Sequence, residues 1–386
     1  MSTGKIAYIA TVYSHLATFH IPYIQMLRDL GYEVHAYATP DHCKQDLERQ
    51  EIVCRDLQMS RNPFSLENLR ATRQLFAKLK REKYDMIHVH TPNASVVVRV
   101  SARLAGCRNV VYTAHGFHFY QGAPLRNWLL YYPVERLLAR WTDVLITINE
   151  EDYDRARQFP VRHQVVYLPG VGVDVGQYRS VDAEQVGALR RDLGLDGSKF
   201  VALCVAELNR NKNHEQFLHA VRELVRRGVP IVALLAGVGE REAELKQLVR
   251  SLKLEEQVIF LGFRRDISVV MQLAHIVVLM SEREGLPKSL LEAMAAGKPL
   301  LVTNVRGNRE LVTSFENGIK VPYGDVAATA EMLARMYDDP VLRAKMGKNS
   351  WEKVQKFELS RIAEQLQGIY AEKIQLPRLP DQVSTS

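Results

Sequence analysis

Two glutamates, Glu284 and Glu292, stand eight residues apart in the stretch SEREGLPKSLLEAMAAGKP. The apolar run Ile276 to Met280 before them reads as a buried strand. Lys288 to Ala296 reads as a helix, with Pro287 at its start and Gly297 and Pro299 at its stop. Glu284 then falls in the loop at the carboxyl end of a strand, and Glu292 lies about two turns into the helix. A helix N-terminus in that place is an anion site, through its uncommitted backbone N–H groups and the positive end of its dipole. A carboxylate beside an anion site needs another partner, and a sugar or ribose hydroxyl is one. A second group is Arg210 and Lys212, in the loop NRNKNHE between a strand starting at Phe200 and a helix from Phe217 to Val225. Strand, basic loop and helix make a phosphate-binding layout, and the two cations can neutralise a diphosphate. His115 follows the apolar run Val110 to Ala114, at the kind of strand end where open α/β sheets bind ligands.

Positioning these groups takes alternating strands and helices. Lys5 to Ala10, Glu33 to Ala38, Met86 to His90, Val110 to Ala114, Val144 to Ile148 and Val165 to Leu168 read as strands, with helices at Ile21 to Leu30, Leu66 to Lys83 and Ala94 to Leu104. After a polar stretch from Ser180 to Lys199 the alternation resumes at Phe200, then at Ile231 to Ala236, Val258 to Phe263 and Gly318 to Val321. The first strand–helix turn, TVYSHLATFH, has no glycine and is not GxGxxG, which argues against a dinucleotide oxidoreductase. At 386 residues, two domains are expected.

The Glu284–Glu292 spacing matches the Glu-x7-Glu motif of retaining glycosyltransferases with the GT-B fold. The surrounding EGLPKSLLEAMAAGKP resembles glycosyltransferase family 4, TAHGFHF resembles that family's HG-type loop, and VYLPGVGVD its hinge. The resemblance spans nearly the whole chain. It implies an α/β GT-B architecture: two facing, doubly wound Rossmann-like domains, an interdomain cleft, and a C-terminal helix crossing back. The expected boundaries are 1–172 for the acceptor domain, 173–365 for the nucleotide-sugar domain, and 366–386 for the crossover helix and tail. By the same resemblance Glu292 bonds the ribose and Glu284 faces the donor sugar, while Gly285, Leu286, Lys288 and Ser289 face the diphosphate. Pro287, without an N–H, removes one donor there. Gly237, in a GxG turn, and Phe263 complete the donor side. His115 is expected to bond the donor sugar, and His15 and His118 are acceptor-side candidates. The family has Gly-Arg-Leu at the Phe200 strand end; here it is Ala206-Glu207-Leu208. Lys212 matches the family lysine, and Arg210 is expected to supply the charge that Glu207 lacks. This variant resembles the exopolysaccharide and capsular polysaccharide subgroup.

The function implied is retaining transfer from a UDP-N-acetylhexosamine or UDP-hexose to a lipid-linked, polyprenyl-diphosphate sugar or an oligosaccharide. No cofactor or metal is expected, since no DxD-type pair stands in a suitable loop. Net charge is +7, and residues 51–140 carry 14 Lys+Arg against 6 Asp+Glu. Arg126 to Arg140, RNWLLYYPVERLLAR, has the composition of an interfacial helix, or of a core helix with a basic outer face. A peripheral place on the inner face of the plasma membrane is expected, because no run approaches the length of a membrane span and the N-terminus is too mixed for a signal peptide. Cys43, Cys54, Cys107 and Cys204 have no metal-ligand spacing and are read as reduced cytoplasmic thiols. No nucleic-acid motif is present. Two other classes fit the same residues: a UDP-sugar epimerase of this fold, and a non-catalytic nucleotide-sugar-binding subunit of a transferase complex.

Overall fold

The computed structural model describes residues 4–60, 62 and 65–374. The chain divides into two compact units, Met1–Val171 with Ile362–Ser386, and Gly172–Arg361. The first unit thus takes in the C-terminal segment from Ile362 onward. Residues 375–386 of the expected tail lie outside the described residues.

The first unit runs β1 (Gly4–Val12), α1 (Tyr13–Phe19), α2 (Ile21–Asp29), β2 (Tyr32–Thr39), α3 (Lys44–Arg49), β3 (Val53–Asp56), α4 (Leu66–Glu82) and β4 (Met86–His90). It continues with α5 (Pro92–Ala105), β5 (Val110–Ala114), α6 (Leu125–Ala139), β6 (Val144–Thr147), α7 (Glu150–Ala156) and β7 (Gln164–Tyr167). Its seven strands are all parallel, in the order β3-β2-β1-β4-β5-β6-β7. Strands such as VVYTA in β5 are buried at every position, as a sheet covered on both faces requires.

The second unit runs α8 (Val175–Arg179), α9 (Ala183–Asp192), β8 (Phe200–Val205), a 3₁₀ turn (Arg210–Lys212), α10 (His214–Arg226), β9 (Ile231–Ala236), α11 (Glu242–Ser251), β10 (Val258–Gly262) and α12 (Ile267–Leu273). It closes with β11 (Ile276–Leu279), α13 (Lys288–Ala295), β12 (Leu300–Thr303), α14 (Arg306–Leu311), β13 (Gly318–Val321), α15 (Val326–Asp338), α16 (Pro340–Val354) and the start of α17 (Leu359–Ala371). Its six parallel strands are ordered β10-β9-β8-β11-β12-β13. In both sheets the chain winds outward from a first strand and then reverses past it. The reversal places a switch point between β1 and β4, and another between β8 and β11. The carboxyl ends of the strands flanking such a point are where doubly wound sheets bind ligands.

Some segments depart from expectation. TVYSHLATFH is not a turn: β1 extends to Val12 and α1 follows it at once. No side chain caps α1, and burial of Tyr13 and Leu16 holds it. The polar stretch 180–199 contains α9, which buries no residue and starts on Asp182, whose carboxylate accepts from the Glu184 amide. Pro133 sits inside α6. It lies on the exposed face, where the helix can forgo the backbone bond that a proline lacks. In the first unit α17 is held by Tyr370, whose buried hydroxyl lies 3.1 Å from Tyr8 Oη and 2.5 Å from His88 Nδ1.

Candidate active site

The switch point of the second sheet brings Lys212 and Glu284 together. Lys212 follows β8 and Glu284 follows β11, and Lys212 Nζ lies 2.6 Å from Glu284 Oε1. Their side chains are 20% and 9% exposed, so the pair is largely withdrawn from water. The two loops are also stitched through backbone: the Glu282 amide donates to Asn211 O, and Asn211 Nδ2 donates to Arg283 O. The anomalous Glu207 works within this loop. Its carboxylate accepts from Asn209 Nδ2 at 3.0 Å, and Asn209 Oδ1 accepts from the Lys212 amide at 3.2 Å. Glu207 thus fixes the turn that presents Lys212. Arg210 stands on the same turn with an exposed side chain, one residue before Asn211.

Two glycines set how closely these loops approach. At Gly237, just past β9, φ is +152° and a Cβ would fall 2.0 Å from Ala206 O. A Cβ on Gly307 would fall 2.2 Å from Gly285 O. Both positions exclude a side chain, which lets backbone close around the ends of β8 and β11. The first turn of α14 clamps the Glu284 loop from the other side, with Arg306 Nε donating to Glu284 O at 3.2 Å. Leu286 is buried and Ser289 half-buried. Pro287 is the residue capping α13 rather than its first helical residue, and no side chain caps that end. Phe263, half exposed, carries the Arg265 guanidinium 5.4 Å from its ring centre.

Glu292 lies on α13 with Lys288 Nζ 3.8 Å from its Oε1. Burial raises its carboxyl above the ordinary 4.5, opposed by the Lys288 charge and by a hydrogen bond from Tyr178. Tyr178 itself is held well above the usual tyrosine range by burial and then by Glu292. A carboxyl titrating higher in the folded than in the unfolded protein binds more protons when folded. Stability is therefore lost as pH rises from 4.5 through the raised value, and the loss is complete above it. Glu292→Gln should abolish this dependence and stabilise the ligand-free protein at pH 7–8 by roughly 1 kcal/mol, as relief of an active-site conflict commonly does. Urea unfolding of both proteins across pH 4–8 checks it.

In the first unit the β1/β4 switch point holds rings. His115 Nε2 lies 3.2 Å from His90 Nδ1, and His15 Nε2 lies 3.4 Å from His20 Nε2. Burial pushes His115 down to about 4. His90 is held well below the ordinary histidine range by burial first, then by repulsion from His20, His88, His115 and His15. Thr91, which joins β4 to α5, has φ +70° although it is β-branched, a conformation costing on the order of 1–3 kcal/mol. Its Oγ1 is fixed 2.7 Å from Thr11 Oγ1 and accepts from the Thr11 amide at 3.1 Å. His118 is not drawn into the ring cluster; it stacks on Tyr131 of α6, ring centres 4.5 Å apart.

The sequence reading missed His20, His90, Tyr178 and Arg306. Tyr178 and Arg306 had no motif to mark them. The adjacency of β1, β4 and β5 decides the meeting of the histidines, and only the strand order reveals it.

Comparison with known proteins adds to this geometry. The family model Glycosyl transferases group 1 matches residues 186–353, and Glycosyl transferase 4-like matches residues 5–149. A Bacillus subtilis (strain 168) protein provisionally named glycosyltransferase EpsD is 39% identical over 375 residues, covering 96% of this chain and 97% of that one. The Escherichia coli UDP-Gal:alpha-D-GlcNAc-diphosphoundecaprenol alpha-1,3-galactosyltransferase is 30% identical, covering 82% of each. Among solved structures, Anabaena Alr3699/HepE in complex with UDP and glucose superposes with a TM-score of 0.81 at 23% identity, covering 96% of this chain and 100% of that one.

Proposed function

The chain belongs to family 4 of the GT-B glycosyltransferases, a transferase of polysaccharide biosynthesis, and we propose that it moves a hexose or N-acetylhexosamine from a UDP-sugar to a polyprenyl-diphosphate-linked sugar, with retention and without metal in the chemical step. The observation that carries this reading is the Lys212–Glu284 pair at the β8/β11 switch point, a cation and a carboxylate held at hydrogen-bond distance where a doubly wound sheet takes its ligand. Lys212, with Arg210 on the same turn and the first turn of α13, neutralises charge developing on the departing diphosphate. Glu292 accepts from the ribose hydroxyls and Glu284 from the donor sugar. His115 bonds the donor sugar. In the front-face reaction the sugar–diphosphate C–O bond breaks, the bond from C1 to the acceptor oxygen forms, and the acceptor proton passes to the leaving phosphate. The UDP named with HepE and the diphosphoundecaprenol acceptor named for the Escherichia coli relative support the choice of donor and acceptor.

Transfer is tested by incubating the protein with UDP-hexoses and UDP-N-acetylhexosamines and a polyprenyl-diphosphate-linked N-acetylglucosamine. Mass spectrometry should show one added sugar and released UDP. Isomerised UDP-sugar without acceptor would make it an epimerase, and UDP-sugar binding with no product from any acceptor would make it a binding subunit.

The membrane part of the reading rests on α6. Trp128, Tyr131 and Tyr132 pack against the first unit's core. The rest of the helix surface carries Leu125, Leu129, Leu130, Val134 and Leu137 with Arg126, Arg136 and Arg140, all exposed. Leu125 is 72% and Leu129 68% exposed. Contiguous exposed leucines ringed by arginine fit an anionic bilayer surface. No helix of the described residues is long and apolar enough to cross a membrane. Burying a leucine contributes about 1.5–3 kcal/mol and a well-placed arginine about 1 kcal/mol. Leu129→Ser with Leu130→Ser should therefore weaken co-sedimentation with phosphatidylglycerol vesicles more than Arg136→Ala with Arg140→Ala. Unchanged sedimentation in both double variants would remove α6 as the anchor.

A further inference from the structure

His15 in α1, His20 between α1 and α2, His90 at the end of β4 and His115 just past β5 come from four places in the chain and meet at one. One ring nitrogen of each can be chosen so that all four lie within 4.8 Å of one another. Two of the separations are 3.4 Å, His15 to His20, and 3.2 Å, His90 to His115. A tetrahedral ion with metal–nitrogen bonds of about 2.0–2.1 Å holds its ligand nitrogens about 3.3 Å apart. Those two edges already have the length such an ion requires. His90 is 1% exposed, and the nitrogen that makes the 3.2 Å edge is its Nδ1, so its Nε2, which has no hydrogen-bond partner among the described residues, is not a ligand in this set. The donor set is imidazole alone, which selects zinc, copper or nickel over magnesium or calcium.

We propose that His15, His20, His90 and His115 bind one divalent transition-metal ion, zinc in the first instance, and that the ion withdraws His115 from the donor sugar. The site stands on its own geometry; only the consequence for His115 rests on the function proposed above. The competing arrangement is a pair of N–H···N hydrogen bonds, His15 with His20 and His90 with His115, which needs no ion.

The experiment takes the full chain, strips it with a chelator and titrates zinc against a chromophoric indicator. One equivalent should bind, and His15→Asn and His20→Asn should each bind it roughly tenfold or more weakly. Metal-free unfolding midpoints establish that the variants are folded. Cobalt(II) added to the wild-type chain should give the intense visible bands of a tetrahedral site, a readout that needs no variant. Absence of stoichiometric zinc binding, or of those bands, overturns the proposal. So does equal binding by the folded variants, which would place the ion elsewhere, as at Asp41, His42 and Cys43. The titration uses no donor sugar, so its failure is distinct from a failure of sugar transfer.

Discussion

Lys212→Ala should lower sugar transfer by about 10²–10³-fold in kcat, the usual effect of removing one preorganised charge from a developing anion. The side chain is fixed before substrate arrives: its amide is held by Asn209, and its ammonium lies 2.6 Å from Glu284. That fixation is what makes the charge effective, because no reorganisation remains for the reaction step. The same geometry predicts coupling. Lys212→Ala strands a carboxylate only 9% exposed, so part of its effect falls on the Glu284 loop. Glu284→Gln should also lower kcat strongly, since the amide keeps the shape but loses the charge that orients the lysine. The double variant should be much less than additive, because the two side chains act as one unit. Steady-state kinetics on the three variants decide it. Turnover intact in Glu284→Gln would end the role given to that residue, and full additivity would mean that the two groups work separately.

The largest stability effect is expected at Glu135. Arg99 of α5 is fully buried, with Nη2 2.7 Å from Glu135 Oε2 and 2.8 Å from Ser95 Oγ, its guanidinium 4.4 Å from the centre of the Tyr112 ring. Removing one partner of a buried ion pair leaves the other charge uncompensated, at a cost of about 3–5 kcal/mol. Glu135→Ala should therefore lower the melting temperature by roughly 10 °C. Arg99→Met with Glu135→Leu, which removes both charges and fills their volume, should lie close to wild type. Calorimetry of the wild type and both variants checks it. A small loss in Glu135→Ala would mean that water reaches Arg99 in the folded state. Because Glu135 is the inward anchor of α6, the single variant should also weaken vesicle binding.

How much of this was readable in the residues depends on how local each signal is. The β11–loop–α13 passage was legible because its markers lie in one short stretch, from Ile276 to Gly297: an apolar strand, Pro287 before the helix and Gly297 after it, with φ +66° at the stop. The strand alternation that makes both units doubly wound was legible for the same reason. By contrast, α1 has no local cap and depends on packing of Tyr13 and Leu16, so TVYSHLATFH looked like a turn. The two faces of α6 were within reach. Trp128, Tyr131, Tyr132 and Glu135 recur at helical spacing, and that period points them inward, while composition alone left an interfacial helix and a core helix with a basic outer face both open. The function of Glu207 was hidden because its partner is Asn209, a contact that needs the shape of the loop. The histidine cluster was least accessible. Its members span residues 15 to 115, and they meet because β1, β4 and β5 are neighbours in the sheet.

The proposed transfer requires first that the second unit bind a uridine nucleotide through Glu292 and Lys212. The most direct measurement is a thermal-shift titration of the full chain with UDP, GDP, ADP and dTDP, repeated on Glu292→Ala and Lys212→Ala. UDP at a hundred times its dissociation constant should add about 2.7 kcal/mol to the folded state, with little effect of the other three and a loss of the shift in both variants. No stabilisation by UDP, or a UDP shift that survives both substitutions, would contradict it.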